Sequence, residues 1–512
     1  MAGYVLKRLL RSVLSLVAVI FIIMLLVFQL MNRDAVIAKD SNYSKQKGNN
    51  KIVYKYNLFS KYEYVTLKTY SEYASNYAKE NNITFDEAYD LPQNVDEIEK
   101  DSTSQKFIDT YSKKGYKIVC KSKSADTDSS ILIAYKDRNI FERLWNFFSH
   151  LFFVDYVGYA KQTEEDIAKC GKIKRGIYIT KDPINGGLCI MGSGTKNKYL
   201  LYFDNVYPFV HQNFITLNLG TRFQSGEDFF SYFTRRQGSP VSQETVLPNG
   251  EVENSAFDYH RRVFTANISD RDYAIYQDQY VQDSSLYTDG LSMIGYSFII
   301  GIISTILVYF IGVPLGLLLA LKKDKIADKI GNLYIIFIMA VPSLAYIYMF
   351  ATFGNKWLHL PNNWPTGTVP LVYFLPIISL ALPSIASLMK WTRRYMIDQM
   401  TSDYVKFARS QGFSEFEIFR KHILKNALIP IVQGIPGSIL GALTGAIITE
   451  RVYGVPGMGK LLTDAIDFYD NGVIVGISFF YALLSIASLI LGDVLMAKVD
   501  PRISFSSGGG RK

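Results

Sequence analysis

The chain has 512 residues, of which 49% are hydrophobic, and its 55 Lys and Arg against 46 Asp and Glu give a formal net charge of +9. Residues 32–290 hold 33 basic and 34 acidic side chains, so the positive excess lies entirely outside this polar stretch. This distribution argues against a nucleic-acid-binding domain, whose basic residues line a folded polar surface, and the long uncharged runs exclude a single soluble domain.

Several stretches free of Asp, Glu, Lys and Arg are long enough to cross a membrane, since a hydrocarbon core of about 30 Å needs roughly 20 apolar residues. The six predicted spans are Ser12–Met31, Leu291–Leu321, Ile330–Asn355, Trp357–Met389 (mainly 369–389), Asn426–Thr449 and Asn471–Gly492. We expect the first to be a retained helix, because its apolar run is too long for a signal peptide and no small-x-small cleavage site follows it.

The basic residues predict the orientation of these spans. The connecting pieces 1–11, 322–329, 390–425 and 498–512 together carry 19 basic and 7 acidic side chains. Lys and Arg accumulate on the cytoplasmic side of membrane proteins. We therefore predict a multi-pass protein of the cell membrane with both termini cytoplasmic and residues 32–285 extracellular.

The polar insertion is long enough to bury its own core, and we predict an α+β domain for it. A helix is expected over 66–89, and the stretch 185–195 is rich in turn residues. Strands are expected at Tyr116–Cys120, Ile131–Tyr135 and Gly176–Thr180. The aromatic stretch Phe141–Phe153 fits two readings equally well, a helix on the membrane interface or an ordinary buried helix.

All three cysteines, Cys120, Cys170 and Cys189, fall in this domain, so one disulfide at most can form. A Cys170–Cys189 bond would close a hairpin-sized loop, but the sequence leaves the pairing open. The five histidines are scattered and form no ligand-spaced cluster with cysteine, so we expect no metal site.

The sequence predicts no nucleotide site in this chain. Residues 454–460 nearly match a phosphate-binding loop, but Leu461 replaces the hydroxyl that would hold magnesium and no strand leads into the loop. No span contains a pair of buried charges typical of ion-coupled pumps, and Asp493 alone is expected to be structural. Any energy source is therefore expected in a partner.

The predicted cytoplasmic stretch 403–430 has the pattern of two short amphipathic helices with a bend at Gly412. Ser414 and Glu417 have the spacing of a capping box, which would start the second helix. The side chains of Phe416, Phe419 and Ile423 would then share one face. Ala408 and Gly412, one turn apart, would leave room for another chain.

This stretch resembles the EAA loop of binding-protein-dependent ABC importer permeases, in the dipeptide/oligopeptide branch. Ser410 and Gln411 depart from the usual wording. The matching residues are Ala408, Arg409, Gly412, His422, Leu424, Asn426, Ala427, Leu428 and Pro430, and the segments 4–10, 450–462 and 500–502 also resemble that branch. An insertion as long as 32–208 is similar to the enlarged first permease subunit of Gram-positive oligopeptide importers of the Opp or Ami type.

The resemblance implies a type I ABC importer permease with six membrane helices and an α+β domain inserted between the first two. The implied domains are 1–31, 32–285, 286–503 with a coupling loop at 401–425, and a tail at 504–512. The implied partners are a second homologous permease, two cytoplasmic subunits that bind ATP and Mg²⁺, an extracellular peptide-binding lipoprotein, the peptide and membrane lipid.

The resemblance also assigns residues to roles. ATPase coupling would involve Ala408, Gly412, Phe416, Phe419 and Pro430, and the external gate or dock would involve Glu450, Gly457 and Gly459. From helix five alone, Gln433, Ser438 and Thr444 are candidates for the translocation path. The alternatives are the same machinery with dipeptides, nickel chelates, sugars or another small solute as cargo, and a membrane-anchored ligand sensor.

Overall fold

The computed structural model describes residues 2–499 apart from short gaps. The gaps are 32, 86–88, 90–94, 99, 124–129, 160–163, 165–166, 169–171, 173–174, 183–185, 198, 204–209, 224–228, 235–236, 238–242, 247–251, 256, 264–281, 286–289 and 365–369.

The first described helix, α1, covers Ala2–Leu25 and continues as a π-helical turn over Leu26–Leu30. The other helices before residue 290 are α2 (Arg33–Ala38), α3 (Ser41–Lys45), α4 (Gly48–Lys61), α5 (Tyr70–Asn81), α6 (Val95–Ile98), α7 (Ser102–Lys113), α8 (Ile140–Ser149) and α9 (Phe229–Thr234).

The strands belong to the inserted stretch, and all their pairings are antiparallel. They are β1 (Val65–Thr69), β2 (Lys117–Lys121), β3 (Ile131–Asp137), β4 (Phe152–Val154), β5 (Gly176–Lys181), β6 (Leu188–Ser193), β7 (Tyr199–Phe203), β8 (Val210–Gln212), β9 (Ile215–Leu217), β10 (Gln243–Val246), β11 (Val252–Ser255), β12 (Phe257–Val263) and β13 (Gln282–Ser285). One sheet has the order β1-β3-β2 and another β5-β6-β7-β8, while β4-β9, β10-β11 and β12-β13 form pairs.

The remaining helices are mostly long and apolar. They are α10 (Met293–Leu321), α11 (Ile326–Ala340), α12 (Ser343–Leu358), α13 (Phe374–Met400, preceded by a 3₁₀ turn at Pro370–Tyr373), α14 (Asp403–Ser410), α15 (Glu415–Glu417, continued by a π-helix over Ile418–Leu424), α16 (Lys425–Gln433), α17 (Ile435–Tyr453), α18 (Met458–Asp467) and α19 (Asn471–Val499).

Four described helices are long and apolar enough to cross a membrane, and the number rises to six if each of two bent helix pairs is one span. The pair α11 and α12 bends by 103°, although the sequence predicted a single helix over 330–355. The bend lies at Val341, whose backbone is extended because Pro342 follows it. The second pair bends by 43° at Gly434, inside the span predicted over 426–449.

In two places the elements of the inserted stretch differ in extent from the sequence prediction. The expected helix over 66–89 begins as strand β1 and becomes helical only at Tyr70, because the Thr69 hydroxyl caps α5 by accepting from the Glu72 amide. That helix ends at Asn82, which adopts a left-handed conformation. The turn-rich stretch 185–195 contains strand β6, since its residues pair with β5 on one side and β7 on the other. The strands predicted near 116, 131 and 176 were confirmed.

The inserted stretch and the membrane helices share a hydrophobic core. Ile20 and Met24 of α1 lie in one buried cluster with Leu219, Phe229 and Val473. A separate cluster, built from Tyr70, Ala74, Phe107 and Leu132, belongs to the β1-β3-β2 sheet and its helices alone. One part of the insertion therefore packs on the membrane helices, and another has its own core.

Candidate functional site

The stretch between α13 and α16 folds as a helical hairpin. Helix α14 stops at Gly412, whose φ of +79° suits glycine, and Ser414 opens the next turn. The predicted capping box is present, because the Ser414 hydroxyl accepts from the Glu417 amide at 3.3 Å and the Glu417 carboxylate accepts from the Ser414 amide at 3.4 Å. The helix then widens to a π-helix, so the predicted α-helical stripe is not continued.

The inner side of the hairpin is filled by its own chain. Ala408 is 5% exposed and packs in a cluster with Val405, Ile418, Ile423 and Met396. Ala408 therefore holds the two arms of the hairpin together. A side chain placed at Gly412 would meet nothing within 4 Å, so that position is open.

The outer side of the hairpin presents aromatic rings. Phe416 is 70% exposed, Phe407 65% and Phe413 46%, whereas Phe419 is half-buried against the core of the hairpin. Phe407 and Phe413 flank the motif but were not among the predicted contact residues. Pro430 lies farther on, half-buried inside α16. Three exposed aromatic side chains at a polar bend form a surface suited to another protein.

Ion pairs brace this hairpin. Arg409 donates two hydrogen bonds to Glu415 across the bend, of 2.7 and 3.1 Å, and the Glu415 carboxylate raises the pKa of Arg409. Lys406 donates to Asp403 at 2.8 Å, and this bond lowers the pKa of the Asp403 carboxyl. The bend is thus fixed by charges that stay on its surface.

An ion pair that was not predicted from the sequence joins α13 to α11. Arg393 of α13 donates to both oxygens of Asp328 on α11, at 2.6 and 2.7 Å. The Asp328 side chain is 2% exposed and also accepts from the Asn332 amide group at 3.0 Å. A bidentate pair of this kind fixes the orientation of two helices. Arg393 and Asp328 are 65 positions apart, so no local sequence pattern predicts the pair.

The predicted gate residue Glu450 is completely buried near the end of α17. Its carboxylate accepts hydrogen bonds from the Ser297 hydroxyl at 2.6 Å and from the backbone amides of Gly459 at 2.7 Å and Lys460 at 3.1 Å. These amides belong to the first turn of α18, where a negative charge is favourable. Glu450 therefore joins α10, α17 and α18 from inside the chain.

The two predicted gate glycines allow this contact. A Cβ at Gly457 would lie 2.4 Å from the Glu450 carboxyl carbon, and a Cβ at Gly459 would lie 2.5 Å from the Ile447 Cα. Arg451, next along α17, pairs with Asp464 and, at 2.8 Å, with Asp467 on α18. The sequence motif thus builds a short helix held tightly against the end of a membrane helix.

The candidate path residues lie along α16 and α17. Gln433 and Ser438 are half-buried, and the Ser438 hydroxyl lies 3.0 Å from the Tyr309 hydroxyl of α10. Thr444 is exposed, and its hydroxyl donates to the Leu440 carbonyl of its own helix. Ser438 and Thr444 are therefore not brought together in one polar cluster. Helix α17 also carries small residues at Gly437, Gly441 and Gly445, and all three are exposed.

An ion pair joins the first and last membrane helices. Asp493 of α19 is not alone, because it pairs with Arg8 of α1 and ties the first helix to the last.

Cys189 is buried in β6 as a free thiol, and burial raises its pKa to about 11. Cys170 lies outside the described residues. Among the residues that the structure describes, no three His, Cys, Asp or Glu side chains are grouped to hold a metal ion.

The chain matches known transport proteins along its whole length. Residues 312–505 match the family described as binding-protein-dependent transport system inner membrane component. The oligopeptide transport system permease protein AmiC of Streptococcus pneumoniae is 32% identical over 526 aligned positions, which cover 100% of both chains. The dipeptide transport system permease protein DppB of Bacillus subtilis is 30% identical over 215 residues, 42% of this chain and 69% of its own length.

Among solved structures, an inward-facing MetNI methionine ABC transporter aligns with 41% of this chain and 94% of its own, at 16% identity and a TM-score of 0.32, a likeness too slight to bear on the fold. The family membership rests instead on the sequence matches. The chain therefore belongs to the binding-protein-dependent transport permeases, in the group of oligopeptide transport system permease proteins.

Proposed function

We propose that this chain is one permease subunit of an ATP-driven importer that moves oligopeptides inward across the cell membrane by alternating access. The observation that carries the proposal is the match to an oligopeptide permease over the whole of both chains, inserted stretch included. The permease itself is not an enzyme. ATP and Mg²⁺ are bound by partner subunits, and the chain holds no cofactor of its own.

The hairpin over 403–424 is the contact with the ATP-binding subunits. Its core of Ala408, Val405 and Ile418 makes it a stiff unit, and Phe407, Phe413 and Phe416 project from it. A stiff hairpin seated in a groove of an ATPase would transmit closure of the ATPase dimer to α13 and α16. Binding of ATP then favours one of two arrangements of the membrane helices.

A second, homologous permease faces α17 and completes the channel. The small residues Gly437, Gly441 and Gly445 allow another helix backbone to approach closely, and a Cβ at Gly437 or Gly441 would meet nothing within 4 Å of this chain. Thr444 lies on the same helix and lines the translocation path, together with Gln433 and Ser438. Two such permeases would enclose a path that neither forms alone.

The inserted stretch faces the outside of the cell, where it meets the peptide-binding lipoprotein, and both termini are cytoplasmic. This orientation rests on the basic residues of the connecting pieces. Helix α18, held by Glu450, lies on the same side as the insertion because α1 and α17 both end there. It forms part of the external gate or of the dock for the lipoprotein.

The test is uptake by cells that carry or lack this chain, with a labelled hexapeptide, a labelled dipeptide and a nickel chelate supplied separately. We expect hexapeptide uptake to be lost without the chain and restored by it. If the chain restored uptake of the dipeptide alone or of the chelate alone, that compound would be the cargo in place of oligopeptides. A tagged chain should also co-purify with two ATP-binding subunits, and a ligand sensor would bring down none.

A further inference from the structure

The amphipathic helix α8 of the inserted stretch has one aromatic side that the described chain leaves largely uncovered. Phe141 is 64% exposed and Trp145 77%, and the two lie one helical turn apart on the same face. Large aromatic rings rarely stand free on a surface in contact with water. A further medium or molecule is therefore expected to cover them.

The neighbouring side of α8 shows where the helix lies. Leu144 and Phe147 pack against the cluster that contains Ile20 and Met24 of α1. The Phe147 ring lies 5.9 Å from the ring of Phe479 in α19. The helix therefore packs against two membrane helices and does not belong to the part of the insertion built on the β1-β3-β2 sheet.

The depth of these contacts can be read from the helices themselves. Phe141 stacks on Phe21 with ring centroids 5.7 Å apart, and Phe21 precedes the end of its span, Leu30, by nine residues. Phe479 follows the start of its span, Asn471, by eight residues. At 1.5 Å per residue, both contacts lie about 12–14 Å inside the helix ends. The headgroup layer is roughly 6 Å thick on each side, so these contacts reach into the hydrocarbon.

Both charged side chains of α8 make contacts within the chain. Glu142 caps its own helix by accepting from the Asn139 amide at 3.1 Å. Arg143 is only 6% exposed, and its guanidinium lies 4.4 Å from the Phe28 ring and 4.7 Å from the Tyr64 ring. The Arg143 charge is thus withdrawn into the protein, and the exposed Glu142 carboxylate is held at the start of the helix. Trp is typical of the membrane interface.

We infer that α8 is a membrane-embedded foot of the inserted stretch: its Phe141 and Trp145 side chains are buried in bilayer lipid, in the leaflet on the side of that stretch. Arg143 fixes the helix against the end of α1 from the protein side. Lipid contact of this kind would hold the inserted stretch at a set height and tilt over the outer ends of α1 and α19.

The test is fluorescence quenching of the full transporter in nanodiscs made with brominated or ordinary phosphatidylcholine. The chain has four Trp residues, so the Trp145→Phe variant, which keeps an aromatic ring, isolates the Trp145 signal by difference. Trp364→Phe is the matched control, because Trp364 packs between Tyr296 and Tyr373 inside the protein. Its removal should leave lipid quenching unchanged.

We expect brominated lipid to quench the Trp145 signal strongly and aqueous acrylamide to quench it little. Quenching by acrylamide without quenching by lipid would place Trp145 in water and overturn the inference. Protection from both quenchers would also overturn it, because it would show that another protein subunit covers the face. The inference would also fail if brominated lipid quenched the wild-type transporter and the Trp145→Phe variant to the same extent.

Discussion

At the scale of single residues, the buried carboxylate of Glu450 accounts for the conformation of the external motif. It satisfies two backbone amides at the start of α18 and the Ser297 hydroxyl, all within 3.1 Å. Donors left buried without an acceptor cost free energy, so removing this one side chain should loosen three helices together.

We expect Glu450→Ala to lower the free energy of unfolding by about 3 kcal/mol, because it leaves those three donors unpaired. Glu450→Gln keeps one oxygen as an acceptor and should cost about half as much. The measurement is thermal unfolding of the purified transporter. Glu72→Ala, at an exposed position of α5, is the control and should change nothing. Equal stability of Glu450→Ala and the wild type would contradict the anchoring role.

Gly459 sets the distance between α17 and α18. The Cβ of a Gly459→Ala variant would lie 2.5 Å from the Ile447 Cα, so the two backbones must separate. We expect a loss of about 1–3 kcal/mol in stability and reduced peptide uptake. Asn76→Ala is the control, because Asn76 is exposed on α5 and alanine favours a helix. If both variants unfold at the wild-type temperature, close packing at Gly459 is not needed.

At the scale of elements, the hairpin over 403–424 has buried side chains that stabilise its fold and exposed side chains that are available for contact with a partner. Ile418 is completely buried in its core, whereas Phe416 is 70% exposed. Ile418→Ala should lower stability by about 2–5 kcal/mol. Phe416→Ala should change stability by less than about 0.5 kcal/mol but reduce co-purification of the ATP-binding subunits and peptide uptake. An unchanged Phe416→Ala variant in both assays would remove the hairpin surface from the coupling proposal.

The sequence predicted the existence of elements better than their geometry. Uncharged length reveals a membrane helix, because hydrocarbon tolerates few charges. It says nothing of backbone angles, so the 103° bend at Val341 was missed even though Pro342 marked it. The capping box at Ser414 was predictable because all its atoms lie within four residues. The strand at Val65–Thr69 was not, because its partner is β3.

Interactions between distant positions limited the prediction of the site in the same way. The motif around Gly457 and Gly459 was visible, but Ser297, which completes the Glu450 site, lies 153 positions away. Ala408 was expected to leave room for another chain, since a small residue permits close approach. The structure uses that space for Ile418 and Met396 of the same chain. A small side chain therefore signals tight packing without saying which chain supplies the neighbour.

At the scale of the whole molecule, the inserted stretch has two parts with different ties to the membrane helices. Phe229 and Leu219 belong to the cluster of α1 and α19, and the Phe223 amide donates to the Asp470 carboxylate at 2.8 Å. The β1-β3-β2 sheet with α5 and α7 instead encloses its own core. The first part should be inseparable from the membrane core, and the second should be removable.

The register of β1 and β3 shows where to cut. Leu67 pairs directly with Tyr135, so a two-residue Asn-Gly turn can replace Lys68–Ala134 and close a short hairpin. We expect the shortened chain to reach the membrane in wild-type amount and to elute as a single species. The cluster around Phe59 and Tyr64 stays intact, while α4 gives up the 2.7 Å hydrogen bond that the Asn49 side chain donates to the Ser122 carbonyl.

A matched control keeps Ala134 and removes only Lys68–Ile133, which shifts the closing pair by one residue. Such a shift turns alternate side chains to the wrong face of the strand, so Tyr135 would move away from the Tyr56 ring, now 4.6 Å away. This control should express poorly while the in-register excision does not. Aggregation of both chains would show that the sheet domain is needed for the membrane helices to fold, and the two parts would then be one cooperative unit.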